Sequence, residues 1–180
     1  MIVCQAARTG AKTLIIEQFN CLGGVAGAGG HGHICIHTAW NEKIRVVGGI
    51  AWEIAERIVK EGHGILNVVN NFDFEVEPFK MLLEKMAEEC KCGILYHTLF
   101  SETVVKNGKA VGAVIQNKSG RSIIRAKQII DCTGDGDVAA SAGCPFLYGD
   151  EETGLCQPVT LMFTIGGVDW DRVKKWRTDW

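Results

Sequence analysis

The sequence predicts an α/β fold in which strands and helices alternate and an antiparallel meander is inserted. Two stretches carry apolar residues at helical spacing, one beginning near Val47 and the other at Pro78. Two short apolar runs, which end at Glu17 and Cys132, are typical of strands buried in a parallel sheet. The pair Asn107-Gly108 stands between β-branched runs and is the usual sequence of a tight hairpin turn.

The individual elements follow from these patterns. Helices are predicted over stretches that are helix-compatible or apolar at helical spacing and are followed by glycine: 1–9, 47–60, 78–90 and 138–142. Strands are predicted where short apolar or β-branched runs are bounded by turn residues: 13–17, 94–96, 103–106, 110–115, 122–125, 128–132 and 161–165. The glycine-rich stretch 22–32 carries no clear periodicity.

The composition excludes several classes of protein. Lys and Arg number 19 and Asp and Glu number 21, so the net charge of −2 argues against nucleic-acid or polybasic membrane-surface binding. The sequence has no apolar run of about 18 residues, which predicts that no helix spans a membrane. Its first residues carry no secretory signal pattern, and its 8 cysteines form no CxxC pair. We therefore expect a cytoplasmic protein with reduced thiols.

Three segments are candidates for contact with a ligand. Glu17 ends a predicted strand, where a carboxylate accepts hydrogen bonds from both hydroxyls of a ribose, or is simply solvated. The Gly/Ala-rich run 22–30 lets a backbone lie against a flat ring or a pyrophosphate, or forms a surface loop. The run 133–137 (TGDGD) either approaches a ligand closely or forms a tight turn with an Asp capping the next helix.

The position of Glu17 has a consequence for the start of the fold. In a dinucleotide-binding unit, the strand-end acid lies about 20 residues after a G-x-G-x-x-G phosphate loop. Counting back from Glu17 places that loop before Met1. We therefore expect the first strand and its phosphate loop to be missing from this chain.

A histidine-rich segment offers a different chemistry. His31, His33, Cys35 and His37 alternate along the chain, so an extended backbone places all four side chains on one face. Imidazole and thiolate suit zinc or copper. Steps of about 6.5–7 Å along a strand keep four such ligands from closing on one ion, although two of them could bind it with help from elsewhere. A small metal-binding module is therefore one alternative, but no metal ligand is assigned.

Taken together, these segments resemble the FAD-dependent oxidoreductase family with the glutathione-reductase-like flavoprotein fold. The resemblance is carried by AARTGAKTLIIEQ, LGG, VVGGIAWEIAERI, VEPFKMLLEKMAEE, IIDCTGDGDVAASAGCPF and QPVTLMF. It implies a Rossmann-like, parallel-sheet FAD/NAD(P)-binding domain that lacks its first strand and includes the three-stranded antiparallel meander. It also implies an incomplete FAD-binding domain over 1–143 and the start of a substrate or cap region over 144–180.

The resemblance further implies that FAD is the cofactor and which residues contact it. Glu17 would bind the adenosine ribose, and Gly23 and Gly24 would lie along the pyrophosphate and ribityl region. A second turn would contact the flavin through five consecutive residues: Thr133, Gly134, Asp135, Gly136 and Asp137. A histidine of the segment 31–33 could face flavin or substrate as a proton donor or as a group that stabilises an anion. No catalytic residue is assigned.

The activity implied is that of an FAD-dependent oxidoreductase, present here as a fragment truncated at both ends, which transfers a hydride between a small organic substrate and flavin. The alternative is a non-catalytic remnant, or a subunit of a split flavoprotein that needs a complementary chain or a second copy of itself. Trp170, Trp176 and Trp180 lie in a charged tail and would suit such a partner surface.

Overall fold

The computed structural model describes residues 2–35, 44–66 and 71–178. In chain order its elements are α1 (Ile2–Arg8), β1 (Leu14–Ile16), β2 (His33–Cys35), α2 (Gly49–Lys60), β3 (Gly64–Leu66), β4 (Asn71–Phe74), α3 (Val76–Glu89), β5 (Gly93–Leu95), β6 (Leu99–Lys106), β7 (Lys109–Asn117), β8 (Gly120–Arg125), α4 (Asp137–Ser141) and α5 (Trp170–Thr178). None of the helices in these ranges has the length and apolarity that crossing a bilayer requires.

The mixed α/β architecture predicted from the sequence is confirmed. Strands β1 and β5 pair in parallel, with Leu14 opposite Gly93 and Ile16 opposite Leu95. Parallel strands need a long crossover, and here the connection contains α2 and α3. Strand β4 lies between β2 and β3 in an antiparallel sheet. This arrangement places the carboxyl end of β1, and therefore Glu17, at one edge of the parallel pair.

The core is built on the two long helices. The apolar stripe of α3 buries Leu83 and Met86 completely or almost completely, and α2 contributes Ile58, which is also fully buried. The ring of Phe79 stacks on that of Phe74 with 4.3 Å between ring centroids. Helix α3 begins at Val76 and not at Pro78 as predicted. Proline is tolerated there because the N–H groups of the first turn have no acceptor within the helix.

The predicted meander is confirmed as the sheet β6–β7–β8. Lys106 pairs with Lys109, and between them Asn107 and Gly108 have φ values of 51° and 71°, as a two-residue hairpin of the favoured twist requires. Helix α4 docks on this sheet through Thr103, whose hydroxyl donates to the carbonyl of Val138 at 2.8 Å. The sheet therefore anchors the helix that follows the 133–137 turn.

Two predicted strands are wrong, and three short strands, β2, β3 and β4, were not predicted. Within the described ranges, 128–132 and 161–165 form no ladder, and Ile130 and Leu161 are 42% and 89% exposed. An apolar run becomes a strand only where a neighbouring backbone accepts its hydrogen bonds. Strands β3 and β4 escaped prediction because Gly64, Asn71 and Asp73 are residue types that are depleted in strands. Helix α5 was also not predicted.

Candidate functional site

Glu17 is held firmly at the carboxyl end of β1. Its N–H donates to the carbonyl of Leu95 at 2.9 Å, and its own carbonyl accepts from the N–H of Thr98 at 3.0 Å. The half-buried side chain accepts one hydrogen bond at Oε1, from the N–H of Phe19 at 2.9 Å. A carboxylate offers about four acceptor positions, so capacity for ligand hydroxyls remains. Ligands of open α/β sheets bind at this end of the strands.

Gly23 and Gly24 begin a compact turn. The carbonyls of Gly23 and Gly24 accept from the N–H groups of Ala26 and Gly27, both at 3.1 Å. A Cβ on Gly27 would lie 2.3 Å from the carbonyl oxygen of Leu22, so no other residue fits there without moving the backbone. Within the described residues, the N–H groups of 23–25 have no backbone acceptor. Successive backbone N–H groups of a turn without an internal acceptor are suitable donors to phosphate oxygens.

The 133–137 turn is organised by a residue that was not predicted from the sequence. Asp131 accepts from the N–H and the hydroxyl of Thr133 at Oδ1, at 3.0 and 2.7 Å, and from the N–H of Ala139 at Oδ2, at 2.9 Å. The hydroxyl oxygen of Thr133 accepts from the N–H of Asp137 at 2.9 Å. Gly136 has φ 77°, which favours glycine. An Asp two residues before a Thr is a known turn signal and could have identified Asp131.

The charge of Asp131 stabilises this turn. Burial raises the pKa of its carboxyl group, but the hydrogen bonds from Thr133, Ala139 and Val138 outweigh that effect, so the pKa lies below its ordinary value of 3.8. A depressed carboxyl pKa contributes stability above the ordinary value that is lost as the pH falls through the folded-state value. The turn should therefore loosen in acid.

Asp131→Asn is expected to lower the free energy of unfolding by about 1–3 kcal/mol at neutral pH, because an amide nitrogen cannot accept from Ala139. The variant should also lose less stability than the wild type when the pH is lowered from about 5 to below the ordinary pKa. Urea unfolding at several pH values measures both effects. Asp135→Asn, in the exposed part of the same turn, is the matched control. Equal pH dependence of wild type and Asp131→Asn would contradict this role.

A cavity of about 520 Å³ lies beside the glycine turn. It is lined by seven residues from two segments: Ala28, Gly29, Gly30, Leu161, Met162, Phe163 and Thr164. Its volume is within the range of about 300–1,000 Å³ that is usual for small-molecule sites. The cavity adjoins the glycine turn but does not include Glu17 or the 133–137 turn in its lining. The direct contact of those residues with one ligand stays a prediction.

The histidine-rich segment is partly described. His33 and Cys35 lie on β2, while His37 lies outside the described residues. His33 contacts Asp73 through Nδ1, at 2.5 Å from Oδ1, and Cys35 through Nε2, at 2.9 Å from Sγ. Among the residues that the structure describes, no group of three or more potential ligands is arranged to hold a metal ion. The contact with Asp73 was missed because β4 was not predicted.

The donor and acceptor set fits a dinucleotide with a flavin. A half-buried carboxylate at a strand end suits ribose hydroxyls, and the N–H groups of 23–25 suit a pyrophosphate. The backbone at Gly134 is open, since a Cβ at that position would meet no atom within 4 Å, and it admits a flat ring. A ribose, a pyrophosphate and a flat ring are all parts of FAD.

Comparisons with known proteins agree with this chemistry. Residues 3–179 match the family model for FAD-dependent oxidoreductases. Similar solved structures include THI4 from Thermovibrio ammonificans, with 17% identity over 85% of this chain and 57% of that chain and a TM-score of 0.55. A triple mutant of the flavin-dependent brominase Bmp2 matches with 14% identity over 78% of this chain and 37% of that chain, with a TM-score of 0.52.

A third similar structure is a geranylgeranyl bacteriochlorophyll reductase-like protein from Thermoplasma acidophilum, with 16% identity over 86% of this chain and 40% of that chain and a TM-score of 0.51. At these identities the three structures show a shared fold, and this chain spans 37–57% of their lengths. The comparison with curated protein sequences found no match. The match over residues 3–179 shows that the chain belongs to the FAD-dependent oxidoreductase family.

Proposed function

We propose that this chain holds FAD and that the bound flavin exchanges a hydride with a small organic substrate. The observation that carries the proposal is the half-buried Glu17 carboxylate, which stands at the carboxyl end of the parallel pair with acceptor capacity to spare. Glu17 would bind the adenosine ribose, and Gly23 and Gly24 would donate to the pyrophosphate. When bound, FAD supplies the hydride chemistry itself.

The remaining residues would position the cofactor and substrate. The turn from Thr133 to Asp137, held by Asp131, would present its backbone to the flavin. The cavity beside Gly29 has apolar walls at Leu161 and Phe163 and suits the apolar part of a substrate. In this proposal residues 1–143 form the FAD-binding part, and residues 144–180 form the start of a substrate-side region.

A second candidate function is that of a subunit that acts with a complementary chain or with a second copy of itself. It rests on the large apolar side chains that the substrate-side region exposes to solvent: Phe146, Leu147, Tyr148, Leu155, Val159, Leu161, Phe163 and Ile165. Large apolar side chains that are exposed together are typical of an interaction surface. In that case the flavin site would be completed only in the assembly.

Equilibrium dialysis of the purified chain against FAD tests the proposal, with sedimentation velocity on the same samples. We expect one bound FAD per chain, and anaerobic bleaching of its visible absorption by at least one of a panel of small alcohols, amines, hydroxy acids and reduced nicotinamides. FAD binding confined to a self-associated form would favour the second candidate. Failure of the chain to bind FAD, whether it is monomeric or self-associated, would contradict the first candidate and self-assembly, and would leave only assembly with a complementary chain. Bound FAD that no donor bleaches would contradict hydride transfer.

A further inference from the structure

Three polar side chains of the small sheet β2–β4 form a chain of contacts. His33 and Cys35 are two residues apart on β2, so their side chains project from the same face. The imidazole Nε2 of His33 lies 2.9 Å from the Sγ of Cys35. On β4, Asp73 is the register partner of His33, and its Oδ1 lies 2.5 Å from the imidazole Nδ1.

This order of groups is the order that activates a nucleophile. A carboxylate next to Nδ1 holds the proton on that nitrogen, which leaves the lone pair of Nε2 directed at the thiol. A base within about 2.6–3.2 Å of a thiol, itself oriented by a third group, is the general pattern of an activated cysteine. His33 is therefore placed to take the Cys35 proton, and Asp73 is placed to orient His33.

Cys35 is also accessible to a reagent, unlike the buried cysteines. Its side chain is exposed, whereas Cys4 is buried. Burial, together with nearby Cys92 and Cys90, raises the pKa of Cys4 to about 11, so that thiol stays protonated at neutral pH. Cys132 and Cys144 are exposed as well, but among the described residues neither has an imidazole within hydrogen-bond distance.

We propose that Cys35 is a nucleophilic thiol that undergoes exchange with small disulfides. Sγ of Cys35 passes its proton to Nε2 of His33 and attacks one sulfur of the disulfide. A new bond forms between Sγ and that sulfur, the original disulfide bond breaks, and the departing thiolate takes the proton from His33. Cys35 is oxidised to a mixed disulfide, and the other half of the reagent is reduced to a thiol. This chemistry does not depend on the proposed flavin site.

The test uses the full chain, reduced and then exposed to a limiting amount of dithiodipyridine, with the modified cysteines mapped by mass spectrometry over time. We expect Cys35 to react at least about tenfold faster than Cys132 and Cys144. His33→Ala should bring Cys35 to the rate of Cys144, and added imidazole should restore part of the difference. Asp73→Asn should lower the Cys35 rate less than His33→Ala does, and Asp73→Glu should recover it.

Cys144 serves as an internal control in every variant, because its rate reports any general loosening of the chain. Equal rates at Cys35 and Cys144 in the wild type would overturn the proposal, and that comparison needs no variant to fold. An unchanged Cys35 rate in a folded His33→Ala would overturn it too. A slower Cys35 in Asp73→Asn that Asp73→Glu fails to restore would remove Asp73 as a positioning residue.

Discussion

Met86→Ala is expected to lower the free energy of unfolding by about 2–5 kcal/mol, the usual cost of truncating a large buried side chain. Met86 is 0% exposed and belongs to the cluster that joins α3 to α2 through Leu83 and Ile58. Removing its thioether leaves a cavity in the cluster, and this cavity can close only if a neighbouring helix moves. Urea unfolding followed by circular dichroism measures the loss.

Met81 provides a control on the same helix, because its side chain is 71% exposed. Met81→Ala removes the same atoms from a similar backbone position, and the free energy of unfolding should change by less than about 0.5 kcal/mol. Equal losses in the two variants would mean that α3 does not face the core with its apolar stripe.

Glu17→Gln is expected to weaken FAD binding roughly 10- to 100-fold, which corresponds to losing a charged hydrogen-bond partner worth about 1.5–3 kcal/mol. The amide keeps one acceptor oxygen but replaces the other with a donor, so it can no longer accept from both hydroxyls of a ribose. The dissociation constant is obtained by titrating FAD and following the quenching of its fluorescence.

Two comparisons separate this effect from a general one. Riboflavin lacks the adenosine, so its affinity should be the same for wild type and Glu17→Gln. Glu88→Gln removes an equal charge from the exposed face of α3 and should leave FAD affinity unchanged. If Glu88→Gln weakened FAD as much as Glu17→Gln, the effect would be one of net charge and not of ribose binding.

The fold could be predicted where local sequence determines structure. The stripes of α2 and α3, the Asn107-Gly108 hairpin and the strand before Glu17 all follow from spacing or turn chemistry, and they are confirmed. The predicted strand 128–132 is wrong because a strand needs a neighbouring strand to pair with, and no local sequence pattern reveals that neighbour. Strand β4 was not predicted for the opposite reason. Its sequence has weak strand propensity, and pairing with β2 and β3 stabilises it as a strand.

The candidate site divides in the same way. The position of Glu17 at the end of a strand could be predicted from the sequence, because the apolar run before it is typical of a strand. The role of Asp131 depends on its hydrogen bond from Ala139, eight residues further along the chain. The contact between His33 and Asp73 depends on the register between β2 and β4. Contacts between segments distant in sequence need the tertiary structure, so such residues are found only once the fold is known.

The central claim is that one FAD molecule contacts both Glu17, at the carboxyl end of β1, and the 133–137 turn. Hydrogen–deuterium exchange with mass spectrometry, with and without saturating FAD, tests it directly. We expect slower exchange on FAD addition in peptides covering 17–25 and in peptides covering 131–138, with little change in the hairpin at Asn107. Protection of one segment without the other, or of neither while FAD is bound, would contradict it.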